Sequence, residues 1–368
     1  MNRETLLTLY DRFTRLVEKL PGGLQKPILR ELVPIRELFL EQRPARLVLL
    51  GSTGRSVPEL LHAIAGIRVV TGDSVNGWRT YRVPGRGAVQ ILDARRDTPE
   101  GVVTTACAFL APDAAILVQE PSSEPADFES AAARLGDCPN NLPLAGVAFG
   151  GDSAPARLAA RMNARREFSL RRTVIGSPDA GDRVAELICP LLPNPARLEF
   201  ARMTGARGAQ AQIAGSLLTS FTAVCGVIGL QPIPLADMPI LTALQSLMVS
   251  LVIYTTGKPV SARLAAEFLG ALGLNIGAGL LFREGARAII RIVPFWGNAV
   301  SGMVAGAGTY ALGRAAIAYF IEERPIQETK KLFNHLLPRW DAFRRTPLPT
   351  SQADRLPLPP SEKSDDKN

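Results

Sequence analysis

Short apolar runs alternate with helix-like stretches between residues 46 and 191, and this alternation constrains the possible folds more than any other feature. The predicted strands are 46–51 (RLVLLG), 79–83 (RTYRV), 88–92 (AVQIL), 114–119 (AAILVQ), 144–149 (LAGVAF) and 172–176 (RTVIG). The predicted helices are at about 57–65, 98–110, 125–136, 154–167 and 180–191. Apolar strands joined by helices are typical of a parallel sheet covered on both faces, so the sequence predicts an α/β fold with a mostly parallel sheet.

The flanking segments differ from this central part in composition. We divide the chain into N-terminal amphipathic helices (1–42), an α/β domain (43–195), an Ala/Gly-rich hydrophobic helical domain (205–322), a C-terminal helix (323–343) and a tail (344–368). The N-terminal helical patterns lie at 4–20 and 24–41, and Pro34 is expected to kink or break the second helix. The tail is rich in Pro, Ser and charged residues, and this composition predicts disorder.

The second domain is predicted to be all-α and is unusually poor in charge. Between residues 208 and 262 only Asp237 and Lys258 are charged. The apolar segments lie at 213–230, 238–257, 268–282 and 292–313. All but the third reach the length of about 20 residues that a membrane-spanning helix needs.

Glycine spacing in this domain favours close contact between helices. The pairs Gly273-x-x-x-Gly277 and Gly302-x-x-x-Gly306 let helix backbones approach one another, in membranes and in soluble bundles alike. Three interpretations therefore stay open: insertion into a membrane, peripheral attachment to it, and a soluble bundle whose helices are buried.

The charge balance favours anionic partners. The chain has 42 Lys and Arg against 34 Asp and Glu, a net charge of +8. Aromatic residues make up only 6% and are not interleaved with basic residues, so no nucleic-acid partner is expected. The first residues, MNRETLLTLYDRF, contain charges and no apolar core, which predicts the absence of a signal peptide and a chain that stays inside the cell.

Cysteine and histidine are too few and too dispersed for common metal or triad chemistry. Cys107, Cys138, Cys189 and Cys225 show no C-x-x-C spacing, which predicts free thiols in a reducing compartment. The only histidines are His62 and His335. The sequence therefore predicts no metal site and no Ser-His-Asp triad.

Residues 47–66, LVLLGSTGRSVPELLHAIAG, have the order of a phosphate-binding loop: strand, glycine-rich turn, helix. The candidate loop consists of Gly51, Ser52, Thr53, Gly54, Arg55, Ser56, Val57 and Pro58. In the G-x-x-x-x-G-K-[ST] frame that begins at Gly51, the lysine and hydroxyl positions hold Val57 and Pro58. Proline suits the first turn of a helix, so the loop is expected to keep its shape without its phosphate and magnesium chemistry.

A family resemblance becomes specific at this loop. Residues 40–66 resemble the opening of Era-like GTPases that carry a C-terminal DUF697 domain, in which an R-P-P-R-type segment precedes the strand, the loop and an S-L-I-N-A-L-like helix. Residues 231–245 (QPIPLADMPILTALQ) and 295–320 (FWGNAVSGMVAGAGTYALGRAAIAYF) are similar to the DUF697 signature. The resemblance covers most of residues 40–322 and implies a P-loop GTPase-like sheet followed by a membrane-associated helical domain.

The resemblance also implies vestigial switch and base-recognition motifs. The D-x-x-G motif falls on 93–96 and keeps only Asp93, while the N-K-x-D motif falls on 149–152 and keeps only Asp152. The loop after the last strand places Ser177 at the S-A-type motif. The simpler interpretation of the two aspartates is that they cap strand ends or turns.

One helical stretch carries a regular row of arginines. Arg157, Arg161 and Arg165 recur at i, i+4 and i+8, a spacing that predicts one basic helix face. Such a face can contact acidic lipid or an acidic partner, or simply be solvated.

Together these features and the resemblance predict a non-catalytic, GTPase-like (pseudo-GTPase) scaffold or interaction module with no catalytic residues and no cofactor. Its expected location is the cytoplasmic side of a bacterial inner membrane, reached peripherally or integrally through residues 205–322. One alternative is a slow or partner-activated GTPase that binds GTP or GDP with Mg²⁺ weakly, with Arg55 in place of the lysine. A second alternative is a soluble, self-associating structural protein. The expected partners are membrane lipid or a membrane protein, a second copy of the chain, or an active GTPase homologue.

Overall fold

The protein contains a seven-stranded mixed sheet, seen in a computed structural model that describes residues 41–95, 99, 101–181, 183–229, 237–258, 262–272 and 298–337, with scattered positions between 15 and 39. The strands are β1 (Ala45–Gly51), β2 (Val70–Val75), β3 (Trp78–Val83), β4 (Gly87–Asp93), β5 (Ala114–Gln119), β6 (Leu144–Ala148) and β7 (Thr173–Gly176). Their order is β2-β3-β4-β1-β5-β6-β7.

The sheet is mostly parallel. Strand β1 pairs in parallel with β4 on one side and β5 on the other, and β6 and β7 continue the parallel part. The β2–β3 and β3–β4 pairs are antiparallel, so β3 alone among these seven strands runs in the opposite direction, and β2 and β3 form a hairpin added to β4. All six predicted strands are confirmed, and the α/β architecture is compatible with a P-loop-like fold.

The sequence analysis missed β2. Its residues, VTGDSV, lie at the edge of the sheet and are almost all exposed, so they lack the apolar pattern of a buried strand. The signal that could have found it is the Asn76-Gly77 turn, since Asn-Gly is the preferred pair for a two-residue hairpin. Both turn residues have positive φ, 48° and 85°.

Twelve helices are described. They are α1 (Val57–Ala65), α2 (Val102–Phe109), α3 (Pro125–Gly136), α4 (Ala154–Asn163), α5 (Arg166–Ser169), α6 (Val184–Ile188), α7 (Asn194–Thr204), α8 (Arg207–Gly229), α9 (Asp237–Thr255), α10 (Ala262–Ala271), α11 (Asn298–Phe320) and α12 (Ile326–Leu336). The helices predicted at 57–65 and 125–136 are confirmed with the same bounds. The stretch predicted at 154–167 is divided into α4 and α5, and the one at 180–191 is shortened to α6 and a 3₁₀ turn, Cys189–Leu191.

Helix α7 was also missed, because the α/β domain was predicted to end at residue 195 and no helix was assigned there. Pro193 is its N-cap and Pro195 lies in its first turn. Proline lacks the N–H that a first turn leaves unpaired, so it starts a helix as readily as it ends one. Gly101, with φ of 80°, begins α2 four residues later than predicted.

The two faces of the sheet bury different sets of helices. Leu47 and Leu49 of β1 face α1, α6 and α7, whereas Val48 and Leu50 face α2, α3 and α4. This alternation follows from the two-residue period of a strand, and it requires β1 to be apolar on both sides. The C-terminal helices join the first of these cores, so one continuous buried cluster extends from the sheet into α8, α9 and α11.

Mutual packing accounts for much of the apolar character of the C-terminal helices. Helix α8 buries Leu217, Phe221 and Val224 in this shared cluster, and α11 buries Ala311 and Ala315 there. Within the described parts of the chain, α8 is the one helix long and apolar enough to cross a membrane, and 44% of its apolar window is already buried by the protein itself.

Several predictions fall partly or wholly outside the described residues. These are most of the helix at 4–20, most of the apolar segment at 268–282 with the pair Gly273 and Gly277, and the tail at 344–368. The helix at 24–41 is helical at the described positions 25–26, 28–30 and 38–39, while Pro34 lies outside the described residues. The predicted C-terminal helix contains α12, and its last residues, 338–343, are not described.

The glycine spacing predicted from residues 302 and 306 lies where α8 and α11 touch. A Cβ built at Gly306 would be 3.5 Å from the Thr222 carbonyl oxygen and 3.7 Å from the Gly226 Cα. Gly308, on the same helix, would meet nothing within 4 Å. The helices therefore approach closely on the Gly306 side only.

We expect Gly306→Leu to lower the free energy of unfolding by about 1–3 kcal/mol, because the contact leaves space for a methyl group and nothing larger. Gly306→Ala is expected to be neutral or to stabilise by up to about 1 kcal/mol through helix propensity. Urea denaturation measures both, with Gly308→Leu as the control on the open side. An equal loss for the two leucine variants would contradict the packing.

Candidate functional site

The candidate loop begins with a turn that only glycine fits. Gly51 has φ of 94°, and a Cβ at this position would lie 2.2 Å from the carbonyl oxygen of Val118 in β5. The next amide, that of Ser52, donates to the same oxygen at 3.0 Å. The end of β1 is therefore held directly against the end of β5, as a tight strand-to-loop turn requires.

The end of the loop is built as a helix cap. The amide of Ser56 donates to the Glu59 carboxylate at 2.8 Å, and the Ser56 hydroxyl accepts from the Glu59 amide at 3.5 Å, forming a capping box. Val57 is buried in the core and Pro58 is exposed in the first turn of α1. The two positions that would hold the lysine and the hydroxyl are thus used for packing and helix initiation.

A guanidinium group of the chain itself lies inside the loop. Arg95 is only 7% exposed, and its Nη1 donates to the carbonyl oxygens of Arg55, at 2.5 Å, and Ser52, at 3.3 Å. Its Nε and Nη2 donate to the two carboxylate oxygens of Asp93 at 2.7 and 2.6 Å. The loop therefore turns two carbonyl oxygens toward a cation, whereas a phosphate loop turns N–H groups toward an anion.

Arg55 is engaged in a second ion pair. Its Nη1 lies 2.7 and 2.6 Å from the two carboxylate oxygens of Glu120, and its guanidinium carbon lies 3.7 Å from the centre of the Phe149 ring. The Glu120 side chain is 6% exposed and that of Arg55 is 34% exposed. Burial raises the pKa of Glu120 above its ordinary value, and the nearby charge of Arg55 only partly opposes this.

A pH dependence follows from the raised pKa of Glu120. The folded state binds the proton of the Glu120 carboxyl group more tightly than the unfolded state does. The stability that this protonated carboxyl contributes is therefore present below about pH 4.5, and it is lost as the pH rises through the pKa of Glu120 in the folded state. We expect the free energy of unfolding of the wild type, relative to Glu120→Gln, to fall as the pH increases from 4.5 toward neutrality. Urea denaturation of both proteins across this range tests the sign, and a relative rise would contradict it.

The two residues predicted to belong to vestigial base-recognition motifs, Asp152 and Ser177, lie at the ends of neighbouring strands. Asp152 is exposed in the turn after β6, and Ser177 is fully buried after β7. The carboxylate that contacts this edge belongs instead to Asp179, whose Oδ2 accepts from the Gly150 amide at 2.8 Å.

Sequence reasoning missed Arg95, Glu120, Phe149 and Asp179 as members of the site. The available signal was position, because Glu120 directly follows β5 and Asp179 lies just after β7. In open α/β sheets, functional groups gather outside the carboxyl ends of the parallel strands. Of the predicted residues, Asp93 and the loop are brought together through Arg95, while Asp152 lies in the turn after β6 and Ser177 is buried after β7.

Each arginine of the predicted basic face contacts its own chain. The Arg157 guanidinium donates to the Ser153 hydroxyl, and Arg165 pairs with Glu129. The guanidinium carbon of Arg161 lies 4.3 Å from the centre of the Phe128 ring. The partners therefore lie on α3 and at the N-cap of α4. The prediction of one basic helix face is wrong at Arg165, because α4 ends at Asn163 and Arg165 is the extended N-cap of α5.

One small cavity lies beside Gly51. This cavity, lined by Gly51, Gln119, Ser123 and Asp127, among others, measures about 10 Å³, which is room for one water molecule. Among the described residues, no group of three or more His, Cys, Asp or Glu could hold a metal ion. At the motif positions of the lysine and the hydroxyl the chain has Val57 and Pro58, and the Arg95 guanidinium donates to the carbonyl oxygens of Ser52 and Arg55.

Comparison with known proteins adds no family assignment. No protein-family model matches the chain, and no curated protein is significantly similar to it. The interpretation of the site therefore rests on its geometry.

Proposed function

We propose that this protein is a non-catalytic, GTPase-like interaction module whose loop keeps its shape through its own side chains. The observation that carries the proposal is the position of the Arg95 guanidinium, which bridges two loop carbonyl oxygens and the Asp93 carboxylate. A cation of the chain thus stands where a nucleotide-binding loop would hold an anion.

The energetics favour retention of this arrangement. A polyphosphate could enter only if Arg95 left three acceptor groups, one of them a carboxylate, and hydrogen bonds to charged groups contribute about 1.5–3 kcal/mol each. The carbonyl oxygens of Ser52 and Arg55 would then face the phosphate oxygens, and two acceptors without a donor repel one another. Binding would have to overcome both effects without a lysine or a metal-binding hydroxyl.

The alternative in which Arg55 replaces the lysine has less support. Its guanidinium already contacts both oxygens of the buried Glu120 carboxylate and lies over the Phe149 ring. A phosphate placed near Arg55 would also be near Glu120, so the attraction of the arginine would be largely offset by the carboxylate.

Membrane attachment of the helical part, residues 205–322, forms the second half of the proposal. The net positive charge and the apolar surface of α8 favour contact with anionic lipid or a membrane protein. Because the inner face of α8 shares a core with the sheet, leaving that core for a bilayer would expose apolar residues of the α/β part. We therefore propose peripheral attachment on the cytoplasmic side.

Calorimetric titration with GTP and Mg²⁺ tests the first half. We expect no binding tighter than about 1 mM for the wild type, and the same result for Arg95→Ala, because the lysine and hydroxyl are still missing. Micromolar, magnesium-dependent binding by the wild type would overturn the proposal in favour of a slow or partner-activated GTPase. Binding by Arg95→Ala alone would overturn the claim that the loop lacks the chemistry.

Fractionation of cells tests the second half. We expect the full chain in the membrane fraction and its release by a carbonate wash. Retention after the wash would indicate integral insertion, and recovery in the supernatant from the start would favour the soluble, self-associating alternative. Either result would overturn peripheral attachment without affecting the nucleotide result.

A further inference from the structure

Two cysteines that are distant in sequence lie next to each other in the fold. Cys107 is in the last turn of α2 and Cys138 directly follows the C-cap of α3. Their Sγ atoms are 3.9 Å apart. A disulfide has an S–S distance of about 2 Å, so the sulfurs need to approach by only about 2 Å to bond.

The two thiols differ in accessibility. Cys107 is partly exposed, while Cys138 is 4% exposed and lies 3.6 Å from the Arg134 carbonyl oxygen. The guanidinium of Arg171 donates to the carbonyl oxygens of Leu135, Pro139 and Leu142, which surround Cys138. An oxidant from solvent can reach Cys107, and Cys138 is positioned behind it.

The hydrogen bond between the thiols also separates their acidities. The contact with Cys138 lowers the pKa of Cys107, while the same contact and burial raise the pKa of Cys138. Since the thiolate is the reactive form, Cys107 is the better nucleophile of the pair.

The other two cysteines provide a contrast within the same chain. Cys189 and Cys225 are fully buried, and burial raises their pKa values to about 12 and about 11. Neither is within hydrogen-bonding distance of a second thiol among the described residues. They are therefore expected to be inert toward an oxidant in solution.

We propose that Cys107 and Cys138 form a site of reversible oxidation that takes a hydroperoxide and yields an intramolecular disulfide. The Cys107 thiolate attacks one peroxide oxygen, the O–O bond breaks, and water or an alcohol leaves after protonation, so that Cys107 becomes a sulfenic acid. The Cys138 sulfur then attacks the sulfenic sulfur, the S–O bond breaks, and water leaves. Two thiols lose two electrons and the peroxide gains them.

The disulfide would clamp a weakly held helix. Helix α2 buries only Val103 and Ala106, and its N-cap, Gly101, makes no side-chain cap. The indole N–H of Trp78 donates to the Ala106 carbonyl oxygen at 2.9 Å, next to Cys107. Oxidation would join this turn to the end of α3 and so restrain the helix that follows the Asp93 and Arg95 pair. This inference is independent of the proposed function.

Controlled oxidation of the full chain tests the site. The reduced protein is treated with hydrogen peroxide, and we expect a loss of two hydrogen atoms by intact mass and a peptide linked through Cys107 and Cys138 under non-reducing conditions. The double variant Cys189→Ser with Cys225→Ser is expected to behave as the wild type. Cys138→Ser is expected to accumulate a sulfenic acid at Cys107, which dimedone traps.

Other results would overturn the inference. The first is that Cys107 and Cys138 stay reduced under conditions that oxidise free cysteine. The second is that disulfides form between chains and not within one chain. The third is that Cys189 or Cys225 is oxidised as fast as Cys107. For the clamp, we expect oxidation to raise Tm by about 5 °C, reversed by dithiothreitol and absent in Cys107→Ser. A disulfide that leaves Tm unchanged would overturn the clamp.

Discussion

Gly51→Ala is expected to lower the free energy of unfolding by about 3–5 kcal/mol, the largest effect of any single methyl group that we foresee in this protein. Two causes act together. The backbone has φ of 94°, which an L-residue adopts only with strain, and the added Cβ would lie 2.2 Å from the Val118 carbonyl oxygen. That oxygen belongs to a central strand, so it cannot move away without disturbing the pairing of β1 with β5.

Gly66→Ala separates these two causes. Gly66 also has positive φ, 66°, as the C-cap of α1, but a Cβ there would meet nothing within 4 Å. Backbone strain alone is expected to cost about 1 kcal/mol at this position. Thermal and urea unfolding of both variants measures the difference, and equal losses would show that the close approach of β1 and β5 is not the main cause.

Arg95→Ala is expected to lower the free energy of unfolding by about 2–4 kcal/mol, because it removes a buried cation from three acceptors. The carbonyl oxygens of Ser52 and Arg55 lose their donor, and the Asp93 carboxylate loses a bidentate partner. The Asp93 side chain is 43% exposed, so solvent screens part of that loss and the lower half of the range is favoured.

Chemical rescue distinguishes a missing contact from general damage to the fold. Low concentrations of methylguanidinium are expected to raise the Tm of Arg95→Ala, since the ion can occupy the space between the loop and Asp93, and to leave that of the wild type unchanged. The Tm of Arg95→Lys is expected to lie between those of the wild type and Arg95→Ala, because an ammonium group keeps the charge but lacks the planar set of donors of a guanidinium. If Arg95→Ala were as stable as the wild type, the guanidinium would not be what holds the loop in shape.

Hydrophobic periodicity was enough to predict most of the α/β fold. The central strands and the helices between them are visible in the sequence because a parallel strand in the middle of the sheet must be apolar on both faces, as β1, β5 and β6 are. The same rule explains the failure at β2, which is an edge strand with exposed residues and is marked only by its Asn76-Gly77 turn. Pro193 and Pro195 lie at the start of α7, but a proline can mark either the start or the end of a helix, and the sequence alone does not distinguish these two cases.

The candidate site divides in a similar way. The missing lysine and hydroxyl could be identified from the sequence, since Val57 and Pro58 occupy the positions at which the phosphate-loop motif has these groups. The side chains that contact the loop could not be identified from the sequence. Arg95 and Glu120 have no distinguishing pattern there, and only the strand order brings them beside residues 51–55. The pairing of Cys107 with Cys138 likewise depends on two helices that pack on the same face of the sheet.

The sequence by itself therefore determined the layered α/β architecture, the apolar helices and the absence of a lysine and a hydroxyl at residues 57 and 58, because these depend on residue type and local period. Only the tertiary structure decided that the loop encloses a guanidinium, that the apolar helices share a core with the sheet, and that two thiols lie in reach of each other. Those features depend on contacts between residues far apart in the chain, and such contacts leave no local pattern in a single sequence.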